Sequence, residues 1–182
     1  MAKLTDLSAA HAALPDALTI GKATIAQAAP QALTWVAPFD GQAKPVSAAL
    51  KEATGLTLPR PGKTSRTKNA MALWWGPDQA MLVGATAKLD GAATVDQTSA
   101  WASIDLTGAD ARTVLERLTP LDVRDTAFPV HATARTLIGH MTASLTRTDK
   151  DSYRLMVFRS MAVTLVHDLT RSMTHVAGRA NL

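Results

Sequence analysis

Five histidines, a Gly-Lys-Thr triplet and many serines and threonines are the residues with which this chain of 182 could do chemistry. Imidazoles bind metal most readily when a helix presents two of them at i and i+4. His11, His131, His140, His167 and His175 offer no such pair. His131 and His140 flank one predicted strand, nine residues apart, which sets them on opposite faces of a regular strand. His167 and His175 can share a side of the last predicted helix. His167 and Asp168 are adjacent, so on a helix they diverge and form no relay. Gly-x-Ser-x-Gly does not occur, so no nucleophile elbow announces itself. Gly62-Lys63-Thr64 ends like a phosphate loop, but Thr57 stands where the opening glycine is required. Pro61 also removes an amide that should face phosphate. No Gly-x-Gly-x-x-Gly occurs, and the absence of cysteine excludes disulfides, thiolate metal sites and a thiol nucleophile. The expectation is a chain with no catalytic, cofactor-binding or metal-binding residues of its own.

Two features suit recognition instead. The formal charge is +4, but it is unevenly spread: residues 56–69 hold Arg60, Lys63, Arg66 and Lys68 with no acid among them. A single loop is not the sustained basic stripe of a nucleic-acid binder. It reads as a solvated loop, as a dock for an acidic partner surface, or as a polyanion site. Trp74-Trp75 falls in a predicted strand, where neighbours point to opposite faces. One of the two can fill the core while the other serves as an interface anchor. Arg60, Lys63, Arg66, Lys68, Trp74 and Trp75 are therefore the candidate interface residues.

The elements that must carry these residues follow from hydrophobic period. Apolar residues make up 47% of the chain, enough to build a core. Residues 1–17 read as an N-terminal arm and 178–182 as a tail. Strands are predicted at 19–28 and 32–37, as a hairpin-like pair divided by Pro30-Gln31. A helix is predicted at 44–54, with Val46, Ala49, Leu50 and Ala53 on its apolar face and Gly55 just beyond its end. The stretch 56–69 is predicted to be loop throughout. Strands follow at 70–75 and 80–84 around Gly76-Pro77-Asp78, then a strand region at 98–106. Thr107-Gly108-Ala109-Asp110 resembles a capping box for a helix to Leu118. Strands at 132–147 and 152–158 turn at Asp149-Lys150-Asp151. Ser160 is predicted to cap a last helix over 161–177, ended by Gly178. This order describes an α+β domain of antiparallel strand pairs with helices packed on them, spanning 18–177. It divides into two weakly similar halves, about 18–92 and 93–177. No apolar run approaches membrane-spanning length, and the N-terminus lacks a secretory pattern, so a cytoplasmic location is expected.

Several segments also resemble a known family in their order and spacing. These are Leu56-x-Leu58-Pro59-Arg60-Pro61-Gly62, then Ala72-Leu73-Trp74-Trp75-Gly76-Pro77-Asp78-x-x-Met81-Leu82-Val83. Next comes Trp101-Ala102-Ser103-Ile104-Asp105-Leu106-Thr107-Gly108-Ala109-Asp110-Ala111-Arg112-x-Val114-Leu115. Pro120-Leu121-Asp122-Val123 with Ala127-Phe128-Pro129 follows, and last Tyr153-x-Leu155-x-Val157-x-Arg159-Ser160-Met161. Over residues 20–176 the chain resembles the gamma subunits of heterotetrameric sarcosine oxidases. The resemblance implies a fold like the folate-binding domain of the glycine cleavage T protein. It implies alpha, beta and delta subunits as partners, with no role for nucleic acid or membrane. It implies that FAD, FMN, NAD and tetrahydrofolate belong to the partner subunits. The complex so implied demethylates sarcosine to glycine, with hydrogen peroxide and, on tetrahydrofolate, 5,10-methylenetetrahydrofolate as products, and this chain is an accessory subunit. The Lys-Gly-Cys-Tyr-x-Gly-Gln-Glu motif of the stand-alone folate-dependent relatives is absent. Asp105 and Asp122 read as turn or cap residues rather than as a catalytic aspartate. A stand-alone folate- or one-carbon-binding protein is the alternative reading, and a polyanion-binding module the weaker one.

Overall fold

Alternation of large apolar and small polar residues along the strands leaves each sheet with two different faces, and those faces dictate the layering. The computed structural model describes residues 17–29 and 31–179. Residues 1–16 of the predicted arm at 1–17, with His11, and the last residues of the tail lie outside the described residues. Eleven strands are seen among them: β1 (Leu18–Ile20), β2 (Ala23–Gln27), β3 (Leu33–Pro38), β4 (Thr64–Arg66), β5 (Met71–Gly76), β6 (Gln79–Val83), β7 (Ala92–Asp96), β8 (Trp101–Thr107), β9 (Thr133–Ile138), β10 (Met141–Asp149) and β11 (Ser152–Phe158). The helices are α1 (Ala43–Thr54), α2 (Ala111–Leu115) and α3 (Ala162–Arg179).

Two antiparallel sheets result, a larger one in the order β1-β2-β8-β11-β10-β9 and a smaller one in the order β4-β5-β6-β3-β7. Three apolar clusters glue four layers together. Val46 and Leu50 of α1 pack with Val36, Ala72 and Leu82 on the outer face of the smaller sheet. Leu33, Leu73, Trp75, Met81 and Val83 of the smaller sheet meet Trp101 and Met156 of the larger one. The other face of the larger sheet, with Ile104, Leu106, Leu145 and Leu155, is covered by Val114 and Leu115 of α2 and by Leu165, Leu169 and Met173 of α3. Burying a residue such as Leu165 or Leu169 contributes about 2 kcal/mol each.

The α+β class stands, and several local expectations are corrected. The strand read at 19–28 is broken by Gly21 (φ +61°) into the β1–β2 hairpin. β2 and β3 do not pair: the chain crosses between them from the larger sheet to the smaller, so Gln31 joins two sheets rather than turning a hairpin. The stretch 56–69 is not all loop, because β4 pairs with β5. The region 98–106 resolves into β8, preceded by a separate strand, β7, on the other sheet. The strand read at 132–147 is itself a hairpin, β9–β10, turning at Gly139-His140. The capping box does not form. Asp110 sits at the N-cap of α2 without a side-chain cap bond, and its Oδ2 accepts the Lys22 backbone N–H at 3.3 Å instead. Ser160 lies inside a 3-10 turn (Arg159–Met161) leading into α3, and α3 runs past Gly178 to Arg179.

Candidate functional site

The basic loop begins where α1 ends. Gly55 adopts the left-handed conformation (φ +76°) and its N–H bonds to the Lys51 carbonyl, which closes the helix. Leu56 then plunges into the α1 cluster and is fully buried. The Ser47 hydroxyl accepts the Leu58 N–H and the Ser65 hydroxyl accepts the Thr57 N–H, so the loop is pinned at both flanks. At its tip Pro61-Gly62 form a tight turn, with Gly62 at φ +70° and the Lys63 N–H bonded to the Arg60 carbonyl at 3.0 Å. Arg60, Lys63, Arg66 and Lys68 are all exposed. Among the described residues Arg60, Lys63 and Lys68 meet no carboxylate. Arg66 differs: its guanidinium lies against both ring nitrogens of His131, with Nε2 at 3.0 Å. His131 itself holds φ +71°, a region that costs a non-glycine residue about 1 kcal/mol or more. Partial desolvation, and then the neighbouring Arg66 charge, push its imidazole below the ordinary value. Thr64, Arg66, Thr67, Val130, His131, Thr148 and Asp149 line a cavity of about 570 Å³ there.

Trp74 and Trp75 diverge as strand geometry requires. Trp75 is buried between the sheets, and Trp74, on the opposite face of β5, is half-buried. The Trp75 ring meets the Trp101 ring edge-on at 4.9 Å, and Trp101 stacks on Phe158 at 4.4 Å. The Arg135 guanidinium from β9 lies over this aromatic group, 4.3 Å from the Trp75 centroid and 5.2 Å from that of Trp101. A second cavity, about 530 Å³, opens at this point and is lined by Trp75, Gln79, Arg135, Thr136 and Thr142. The Trp35 indole N–H donates to Gln79 Oε1 at 3.2 Å. Arg135 Nε, Trp101 Nε1 and Ser144 Oγ are buried without a hydrogen-bond partner. The two cavities share no lining residue, while the Trp74 N–H reaches the Lys63 carbonyl at 3.3 Å, so β5 adjoins the basic loop.

Sequence reasoning found Trp75 but passed over Arg135, Trp101, Gln79 and Phe158. A charged residue two positions from Leu137 on an otherwise uncharged strand is the trace that Arg135 leaves. The histidines are dispersed: His131 and His140 sit in turns on either side of β9, and His167 and His175 lie on α3. His175 is close to Arg117 (3.4 Å). Among the described residues no three His, Asp or Glu side chains gather in the manner of a metal site. Asp122 is a turn residue, accepting the Arg124 N–H at 3.0 Å and its guanidinium besides, which lowers its carboxyl to about 2. Asp105 is not a turn or cap residue: it lies within β8 and faces Arg154. No helix is long and apolar enough to cross a membrane among the described residues.

The sarcosine oxidase gamma subunit family matches residues 39–172. The fold is similar to that of a chain in the heterotetrameric sarcosine oxidase of Corynebacterium sp. U-96, solved with pyrrole 2-carboxylate. The TM-score is 0.78 and the identity 22%, with 88% of each chain covered. It is similar also to the glycine cleavage system aminomethyltransferase T of Bartonella henselae, at a TM-score of 0.56 and 14% identity. That match covers 83% of this chain but 46% of the transferase. No curated protein matches the sequence.

Proposed function

This chain belongs to the sarcosine oxidase gamma subunit family, and we propose that it serves as the non-catalytic accessory subunit of a heterotetrameric sarcosine oxidase. The family match over residues 39–172 carries this reading. Two local observations support a recognition role. Arg60, Lys63 and Lys68 stand exposed on a pinned loop with no acid beside them, and the Trp75–Arg135 pocket opens next to exposed apolar side chains.

In this reading alpha, beta and delta subunits are the partners, and FAD, FMN, NAD and tetrahydrofolate are held by them. The assembly oxidises the methyl group of sarcosine, releases glycine, reduces oxygen to hydrogen peroxide and passes the carbon to tetrahydrofolate as 5,10-methylenetetrahydrofolate. It works in the cytoplasm, without nucleic acid or membrane. Residues 18–177 act as one unit, since β1 and β2 complete the sheet built by β8–β11 and β7 completes the smaller sheet. The contribution of the chain is mass action: burying a face of a larger subunit favours the folded assembly.

The test is to express the other three subunits with and without this chain. The reading requires that omission lower the yield and thermal stability of the assembly, while the flavins of whatever forms remain in the other subunits. Equal yield and equal stability in its absence would contradict it.

A further inference from the structure

The larger sheet carries three arginines, and two of them are answered by carboxylates within the chain. Arg147 meets Asp125 at 2.9 Å, and Arg154 meets Asp105 at 2.8 Å. Arg135 has no carboxylate and no hydrogen bond among the described residues, only the faces of Trp75 and Trp101. Stacking fixes a guanidinium while leaving its edge N–H groups free to donate. The other polar groups here include donors without an acceptor, beside the hydroxyls of Thr136, Thr142 and Ser144, which can donate or accept. The Gln79 oxygen is occupied by Trp35, which leaves its amide N–H groups unused, and the Trp101 indole N–H has no acceptor. No acid lines the cavity. An unanswered cation in a cavity with no acid calls for an anionic acceptor, and a planar guanidinium suits a carboxylate.

The surroundings point to a protein as the source of that carboxylate. Strand alternation puts Arg135 and Leu137 on one face of β9, and Leu137 pairs with Thr142 of β10 on the same face. Phe158, which pairs with Trp101, belongs to this face too. The smaller sheet covers Met156 and most of Trp101 but leaves Leu137 at 44% and Phe158 at 48% exposure. β9 is also an edge strand. An arginine seated on tryptophan and flanked by exposed Leu and Phe has the composition of an interface hot spot.

Resting on the accessory-subunit reading, we propose that Arg135 is a docking anchor that receives an Asp or Glu side chain of a partner subunit, with Leu137 and Phe158 as its apolar flanks. Arg135→Gln, Arg135→Glu and Arg135→Lys, each co-expressed with the partner subunits, test this through the concentration at which the purified complex dissociates. The Gln variant is expected to raise that concentration about thirtyfold or more and the Glu variant further, with Lys between Gln and wild type. The isolated Gln variant should still fold, because it gives up only the stacking on Trp75 and Trp101: no carboxylate answers the guanidinium among the described residues. If the Gln variant does melt lower, Leu137→Asp reads the same surface and is expected to weaken assembly. Wild-type affinity in Arg135→Glu, or in Leu137→Asp where that variant is used, would overturn the inference while leaving the accessory role intact. Saturable binding of glutarate by the isolated wild-type chain, lost in Arg135→Gln without any change in assembly, would overturn it in favour of a small carboxylate. A wild-type chain that does not join the other subunits would overturn the accessory reading, and this inference with it.

Discussion

Arg154 and Asp105 face one another across the β11–β8 ladder in a two-pronged ion pair, Nε to Oδ1 at 2.8 Å and Nη2 to Oδ2 at 2.9 Å. The third prong, Nη1, donates to Gln31 Oε1 at 3.1 Å. Gln31 lies on the crossing between β2 and β3, so this one guanidinium ties the crossing to the face of the larger sheet. Both side chains are largely withdrawn from solvent, at 15% and 30% exposure, which strengthens the pair relative to a surface one. Asp105→Asn and Arg154→Met are each expected to lower stability by about 1–3 kcal/mol. In a double-mutant cycle followed by denaturant unfolding, the double variant should lose less than the sum. Strict additivity would show that the pair is not coupled.

Gly108 joins β8 to α2 where no side chain fits. Its φ is +109°, and an added Cβ would lie 2.2 Å from the Lys22 carbonyl oxygen. That contact is with backbone, so it cannot be relieved by a rotamer change. Gly108→Ala should therefore cost about 3 kcal/mol or more and part the β1–β2 hairpin from α2. Melting of the variant within a degree or two of wild type would show that the β8–α2 join relaxes freely.

The Arg66–His131 contact has a pH signature. Desolvation and Arg66 depress the imidazole in the folded chain below its ordinary value of 6.5. Above that value both folded and unfolded states hold a neutral ring, and stability is unaffected. As pH falls through 6.5 the unfolded chain takes up a proton that the folded site resists, so stability declines until the depressed value is passed. Arg66→Gln should move the His131 titration upward and flatten this decline. Proton NMR of the imidazole resonances reads it directly, and an unmoved His131 in the variant would deny the contact.

The basic loop makes a separate demand. Arg66 is engaged by His131, so the cations free to meet a partner are Arg60, Lys63 and Lys68. Arg60→Glu with Lys63→Glu should weaken assembly about tenfold and reduce its dependence on salt, with the circular dichroism spectrum unchanged. Assembly with wild-type affinity and salt dependence would mark the loop as merely solvated.

How far the sequence announced this molecule depended on whether a feature was local. α1 was readable because its apolar stripe and its closing Gly55 lie within one run of residues; the apolar stripe of α3 is equally local, though that helix runs past Gly178. The divergence of Trp74 from Trp75 follows from strand geometry alone. Register and sheet membership are not local. Nothing near Gly139-His140 separates β9 from β10 as sharply as Asp149-Lys150-Asp151 separates β10 from β11. The departure of β3 from β2 is fixed by pairing with β6 and β7, more than forty residues on. The Arg135 pocket escaped for the same reason. Trp75, Trp101 and Arg135 come from β5, β8 and β9, and only the face-to-face stacking of the sheets brings them together.

Native mass spectrometry of the tagged chain purified after co-expression with the candidate partner subunits tests the accessory role most directly. The account predicts a yellow species whose mass equals one copy each of four chains, this one included, and which loses this chain without losing flavin. A colourless monomer, with the flavin-bearing subunits eluting as a complete complex without it, would contradict the account.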